Sequence, residues 1–132
     1  MIRLVVATLV LVSAGVAATA QERPNYLTAT YPAHALDGLL AMYGTLKGEN
    51  SALDDKVFEL IGVAVAAQIP CHYCVYVHTK QAKIAGATDQ EIREAVAMAG
   101  ATRNFATVFN GMAYDFEAFK QEHDALVPPP TN

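Results

Sequence analysis

A chain of 132 residues, 53% hydrophobic and with only two cysteines, is long enough for one domain and has too few cysteines for a disulfide-built scaffold. Its formal charge of −4 comes without clusters of Lys and Arg, which excludes a nucleic-acid footprint. Acidic balance of this size speaks to solubility rather than to a partner.

The first twenty residues, MIRLVVATLVLVSAGVAATA, place Arg3 before an apolar run from Leu4 to Val16 and then Ala18-Thr19-Ala20. That order is the pattern of a cleavable export signal, and the run is shorter than the ~20 residues of a membrane span. The expectation is therefore an exported protein, periplasmic or secreted, with no stable membrane anchor. Residues 21–32, with Pro24 and Pro32, read as an extended lead-in to a helical domain over 33–123. Residues 124–132, ending in Pro128-Pro129-Pro130, read as a flexible tail.

Within 33–123 the apolar residues recur at helical spacing. Leu36, Leu39, Leu40, Tyr43 and Leu46 mark the first helix, with Gly48 as its stop. Ser51, with Asp54 three residues on, marks the start of a second, whose apolar set is Val57, Leu60, Ile61, Ala64 and Ala67. Pro70 disfavours helix at Ile69 and ends it. A third helix opens at about Cys71 and closes at Gly86. Thr88 and Glu91 form a capping box for a fourth, with Ile92, Ala95, Val96 and Ala99 inward. A last helix is predicted from around Thr102 to His123, carrying Phe105, Val108, Phe109, Met112, Phe116 and Phe119, with the join near Gly100. Met42, Met98 and Met112 read as core filler. No strand-like alternation appears, so the predicted class is all-α, a single-domain helical bundle.

The middle helices are rich in small residues, "IGVAVAAQ" and "AVAMAGA", which bury little area each. A domain of this size already buries only about two-thirds of its unfolded surface. Association through the Phe-rich last helix would add to that, and a homo-oligomer is expected.

Chemistry concentrates in "PCHYCVYVHTK", residues 70–80. Helix positions three and four apart are neighbours, so Cys71, Cys74 and His78 share one stripe. Cysteines at that spacing can close a disulfide within one turn. A helical hairpin pivoting at residues 68–70 sets Glu59 opposite His78, and a carboxylate beside an imidazole fixes its tautomer. Glu59, His78 and Cys74 would then form a relay drawing the thiol proton away, leaving the reactive thiolate. Two other readings of the same residues stand beside this one. A structural disulfide closing about four residues would stabilise by only ~2 kcal/mol, against ~3 for a fifteen-residue loop. Cys71, Cys74, His78 and Glu59 could also ligate zinc, although structural zinc usually draws on a second Cys/His cluster that is missing here.

Glu59, eleven residues, then Cys71-x-x-Cys74-x-x-x-His78 resembles the signature of the alkylhydroperoxidase D-like proteins of the carboxymuconolactone decarboxylase family. The continuation "HTKQAKIAGATDQEIREAV" resembles the helix, Gly turn and capped helix that follow the motif there. The similarity covers roughly residues 33 to 120, most strongly 57 to 100. It implies a helical fold that oligomerises and a thiol-dependent peroxidase, a peroxiredoxin-type antioxidant oxidoreductase with no bound cofactor or metal. By that resemblance Cys74 attacks a peroxide, Cys71 resolves it as a disulfide, and Glu59 with His78 relays the proton. A dithiol donor supplies the electrons. The decarboxylase branch of the family typically lacks the Cys pair.

The chain departs from some redox members in having Tyr73 where they carry a His, with His72 one position earlier. Which sulfur attacks also has two answers in physics. The helix N-terminus favours a thiolate at Cys71, typically by ~0.3–1 kcal/mol, while a hydrogen-bonded base favours Cys74. The relay carries the larger effect, which selects Cys74. His34 and His123 are expected at the surface, His72 exposed at the helix start, and Tyr73 and Tyr76 as packing groups or proton donors.

Overall fold

The computed structural model describes residues 23–127. Among them are six helices and no strand: α1 (Asn25–Thr28), α2 (Ala33–Leu46), α3 (Asp55–Gln68), α4 (His72–Ile84), α5 (Asp89–Gly111) and α6 (Phe116–Leu126). The protein is all-α. The export signal and most of the proline tail lie outside the described residues.

The chain divides into two units, with the boundary between Ala41 and Met42, inside α2. In the first, the single turn α1 (Asn25–Thr28) falls within the segment expected as an extended lead-in over 21–32. Pro24 stands just before it as the N-cap, where the missing N–H costs nothing because helix starts have no partner for it. Arg23 pairs with Asp37 of α2, and Leu36 is buried.

In the second unit, local chemistry sets each helix boundary. Asp54, not Ser51, caps α3, accepting from the Val57 N–H at 2.8 Å. Ser51 is spent on a tight turn instead, its hydroxyl bonding the Leu53 carbonyl at 3.0 Å. Thr88 and Glu91 close the expected capping box of α5. Glu91 also takes Lys56 of α3 at 2.8 Å. The Lys56 and Thr88 hydrogen bonds hold the Glu91 carboxyl at about 2, well below the usual carboxylate range.

The C-terminal half differs from expectation. Helix α5 runs unbroken through Gly100, and the break falls at Met112–Asp115. One glycine inside a helix costs about 1 kcal/mol, which twenty-two further helical residues absorb. Helix α6 begins afresh at Phe116, capped by Asp115, and continues past His123 to Leu126.

Helix α3 packs against both α4 and α5. The residues it buries are Glu59, Val63 and Ala66, joined by Ala82 of α4 and Ala99 of α5. Of the apolar set Val57, Leu60, Ile61, Ala64 and Ala67, the first four line an open apolar groove of about 600 Å³ facing Ala95 and Met98 of α5. A helix flanked on two sides buries the residues between its neighbours, and that face is displaced from the most apolar one. The three methionines expected as core filler, Met42, Met98 and Met112, are exposed.

Candidate functional site

The site begins where α3 stops. Pro70 has no N–H to continue the ladder, and Ile69 closes the helix with a bond to the Val65 carbonyl. The Cys71 N–H then reaches back to the Ala66 carbonyl at 3.0 Å, which ties the start of α4 to the end of α3. Cys71 is the N-cap of α4, and its sulfur accepts from the Cys74 N–H at 3.2 Å. The Cys71 and Cys74 sulfurs are joined as a disulfide, with Cα atoms 5.3 Å apart. Both residues are half-buried.

Across the hairpin, Glu59 is fully buried. One carboxylate oxygen, Oε2, lies 2.7 Å from Nδ1 of His78, the facing pair the turn at Pro70 predicts. An ionised carboxylate only accepts, so a bond to it needs the hydrogen on Nδ1, the tautomer that in a neutral ring leaves the lone pair on Nε2. His78 stands one helical turn beyond Cys74 on the same stripe, with its side chain 19% exposed.

Two residues of this arrangement were not read from the sequence. Lys47, the first residue after α2, donates to the other oxygen of Glu59, Oε1, at 2.6 Å. That hydrogen bond raises the ammonium pKa above its ordinary value, with burial opposing. A buried carboxylate without a counter-charge costs several kcal/mol, and Lys47 and His78 together compensate it. Tyr43, in the last turn of α2, has its phenol pKa raised by burial first and by the Glu59 charge second.

Gly62 is the other. A Cβ placed there would sit 2.4 Å from Nδ1 of His78. The imidazole therefore lies against bare backbone, and no larger residue leaves room for it. A sequence signal existed: Gly62 falls three positions after Glu59, on the same face of α3, where a helix would otherwise take Ala.

The remaining candidates stand apart. Tyr73 is 87% exposed and Tyr76 is exposed too, so neither packs. His72, His34 and His123 are exposed. Among the described residues no group of three or more His, Cys, Asp and Glu side chains is disposed to hold a metal ion.

The model of the carboxymuconolactone decarboxylase family matches residues 33–115. The chain belongs to that family. Among curated proteins, "Uncharacterized protein 4 in cox locus" from Paracoccus denitrificans is 41% identical over 54 residues, which is 41% of this chain and 49% of that protein. The match thus spans about half the length of the curated relative. No solved structure matches.

The chain, a carboxymuconolactone decarboxylase family member, carries a closed Cys pair at CxxC spacing and, on the adjoining helices, a Glu–His pair whose carboxylate is buried. Both features are consistent with a redox-active site. The backbone bond from Cys71 to Ala66 that ties the start of α4 to α3 does not involve sulfur.

Proposed function

We propose that the protein is an exported, thiol-dependent peroxidase cycling Cys71 and Cys74. The observation that carries this reading is the Glu59–His78 pair, whose free ring nitrogen belongs to a residue one turn from Cys74.

In the reduced state His78 takes the Cys74 proton, and the thiolate attacks the terminal oxygen of a hydroperoxide. The O–O bond breaks, Cys74 becomes a sulfenic acid, and the leaving alkoxide takes the proton from His78 as alcohol. The Cys71 thiol attacks the sulfenic sulfur, the S–O bond breaks, and water leaves as the disulfide forms. The two electrons of the dithiol have then reduced one peroxide to alcohol and water. A small dithiol donor reopens the pair by exchange and is itself oxidised. The roles follow: Cys74 as nucleophile, Cys71 as resolving thiol, His78 as proton carrier and Glu59 as its orienting partner.

Export rests on Arg3, the apolar run and Ala18-Thr19-Ala20, all outside the described residues. Among the described residues no helix is long and apolar enough to cross a membrane. A homo-oligomer is supported by the exposed aromatics Phe105, Phe109 and Phe116.

The test is peroxide consumption with dithiothreitol or dihydrolipoamide as donor. Cys74→Ser is expected to abolish it, Cys71→Ser to retain one stoichiometric turnover, and Glu59→Gln to slow it. The reverse pattern in the two Cys variants would exchange their roles, and full activity in both would end the redox reading.

A further inference from the structure

We infer that Lys47 is a positioning residue of this site: its ammonium supplies the counter-charge of buried Glu59, so that the carboxylate holds His78 by its Nδ1–H without keeping a second proton on the ring. The inference rests on the thiol-peroxidase reading for its purpose, but its electrostatics stand on the geometry alone.

Glu59 is 0% exposed and makes two contacts, one per oxygen: Lys47 Nζ at 2.6 Å and His78 Nδ1 at 2.7 Å. A buried carboxylate demands about one positive charge nearby. Two groups could provide it, the ammonium or an imidazolium. Only the first leaves His78 with a lone pair to accept a thiol proton and to pass it on. With Lys47 removed, the ring becomes the carboxylate's sole cationic partner, and Glu59 holds it as imidazolium. A ring held in that form cannot take the proton from Cys74, and it releases one reluctantly to a leaving alkoxide.

The surrounding charges do not substitute for Lys47. Tyr43 and Asp55 are the other titratable groups acting on it, and an ionised form of either would add negative charge. No further cation bonds Glu59 among the described residues. The location of Lys47 also suits the role. Helix α2 ends at Leu46, and the Lys47 N–H makes a last bond to the Tyr43 carbonyl at 3.3 Å, which fixes the root of the side chain beside Glu59. Its side chain is 25% exposed, so the variant does not open a large internal hole.

The test uses the full chain in its disulfide form, where no thiol titrates, with isotopically labelled histidine and His78→Asn to assign the His78 signal. At about pH 7.5, where an ordinary imidazole is mostly neutral, Lys47→Met is expected to raise the imidazolium-to-imidazole ratio of His78 by about tenfold or more, as loss of one nearby positive charge should. Lys47→Gln should do the same, and Lys47→Arg should keep the ratio near wild type. In the reduced protein, the acid limb of the pH–rate profile for hydrogen peroxide consumption should move to higher pH in Lys47→Met and return in Lys47→Arg. An unchanged or lowered ratio in both Lys47→Met and Lys47→Gln, with the helical circular dichroism of wild type, overturns the inference. A raised ratio in a protein that consumes no peroxide in any form, wild type included, supports the role of Lys47 and overturns the peroxidase reading instead.

Discussion

The α3–α4 hairpin and the α5–α6 limb use opposite solutions to packing. In the hairpin the side chains that meet are small or polar. Glu59 is buried against His78 and Lys47, Gly62 makes room for the ring, and Ala66 and Ala82 fill the interior. No buried side-chain polar atom among the described residues lacks a partner. In the limb the side chains are large, aromatic and outside. Phe105 stacks on Phe109 at 5.9 Å and Phe109 meets Phe119 at 5.5 Å, yet Phe105, Phe109 and Phe116 stay exposed. Small residues allow the close helix approach that shields the Glu59–His78 pair, but they bury little apolar area. The exposed phenylalanines sit in the limb, where only another surface can cover them.

The hairpin should be the more sensitive of the two, and Gly62→Ala would show it. Ala gains about 1 kcal/mol of helix propensity over Gly, while overpacking typically costs 1–3 kcal/mol. With a Cβ due 2.4 Å from Nδ1, the second effect dominates and His78 must leave Glu59. The expected outcome is a net loss of up to about 2 kcal/mol in urea unfolding and, on the proposed peroxidase reading, a fall of at least about a hundredfold in peroxide consumption, the size general acid–base groups commonly show. A variant as stable and active as wild type would mean that the ring does not depend on this approach.

The limb makes a different prediction. If the exposed aromatics hold an oligomer together, Phe105→Ser with Phe109→Ser should leave the helices intact and lower the solution mass toward that of a single chain, seen by light scattering across a dilution series. Truncating a fully buried Phe costs about 3–5 kcal/mol, and each 1.4 kcal/mol is tenfold in affinity. A weakening of association by at least about a hundredfold is expected even with partial burial. A wild-type protein already at monomer mass would remove the reason given for the exposed aromatics.

Legibility in the sequence follows the range of the interactions. The Thr88–Glu91 box spans three residues and could be read directly. The Glu59–His78 pair spans nineteen, but a single proline and helical spacing suffice to place it. Lys47 lies only twelve residues from Glu59, yet its approach depends on how residues 47–54 return between two helices, and no periodicity encodes that path. The core face of α3 does not follow from its apolar set, because the apolar stripe and the buried stripe differ and the buried one carries a glutamate. The limb's break was misplaced because its turn has no glycine at the position that needs one.

That last point yields the smallest effect and the sharpest contrast between the regions. Helices α4 and α5 end in the same way. In α4 the Gly86 N–H bonds Lys83 and the Ala87 N–H bonds Ala82, and in α5 the Ala113 N–H bonds Asn110 and the Tyr114 N–H bonds Phe109. Each pattern needs a left-handed residue after the helix. Gly86 supplies it at φ 87° without a Cβ penalty, whereas Ala113 adopts φ 49° with one. The left-handed conformation costs a non-glycine residue about 1–2 kcal/mol. Glycine returns some of that through the greater entropy of its unfolded chain, about 0.4–1 kcal/mol. Ala113→Gly is thus expected to stabilise by about 0.5–1 kcal/mol, and Gly86→Ala to destabilise by a similar amount, both read from urea midpoints at unchanged slope. Equal and opposite shifts would show that the two turns share one geometry. A destabilised Ala113→Gly would instead mean that the Ala113 methyl is packed, and that the end of α5 is held by contact rather than by its backbone.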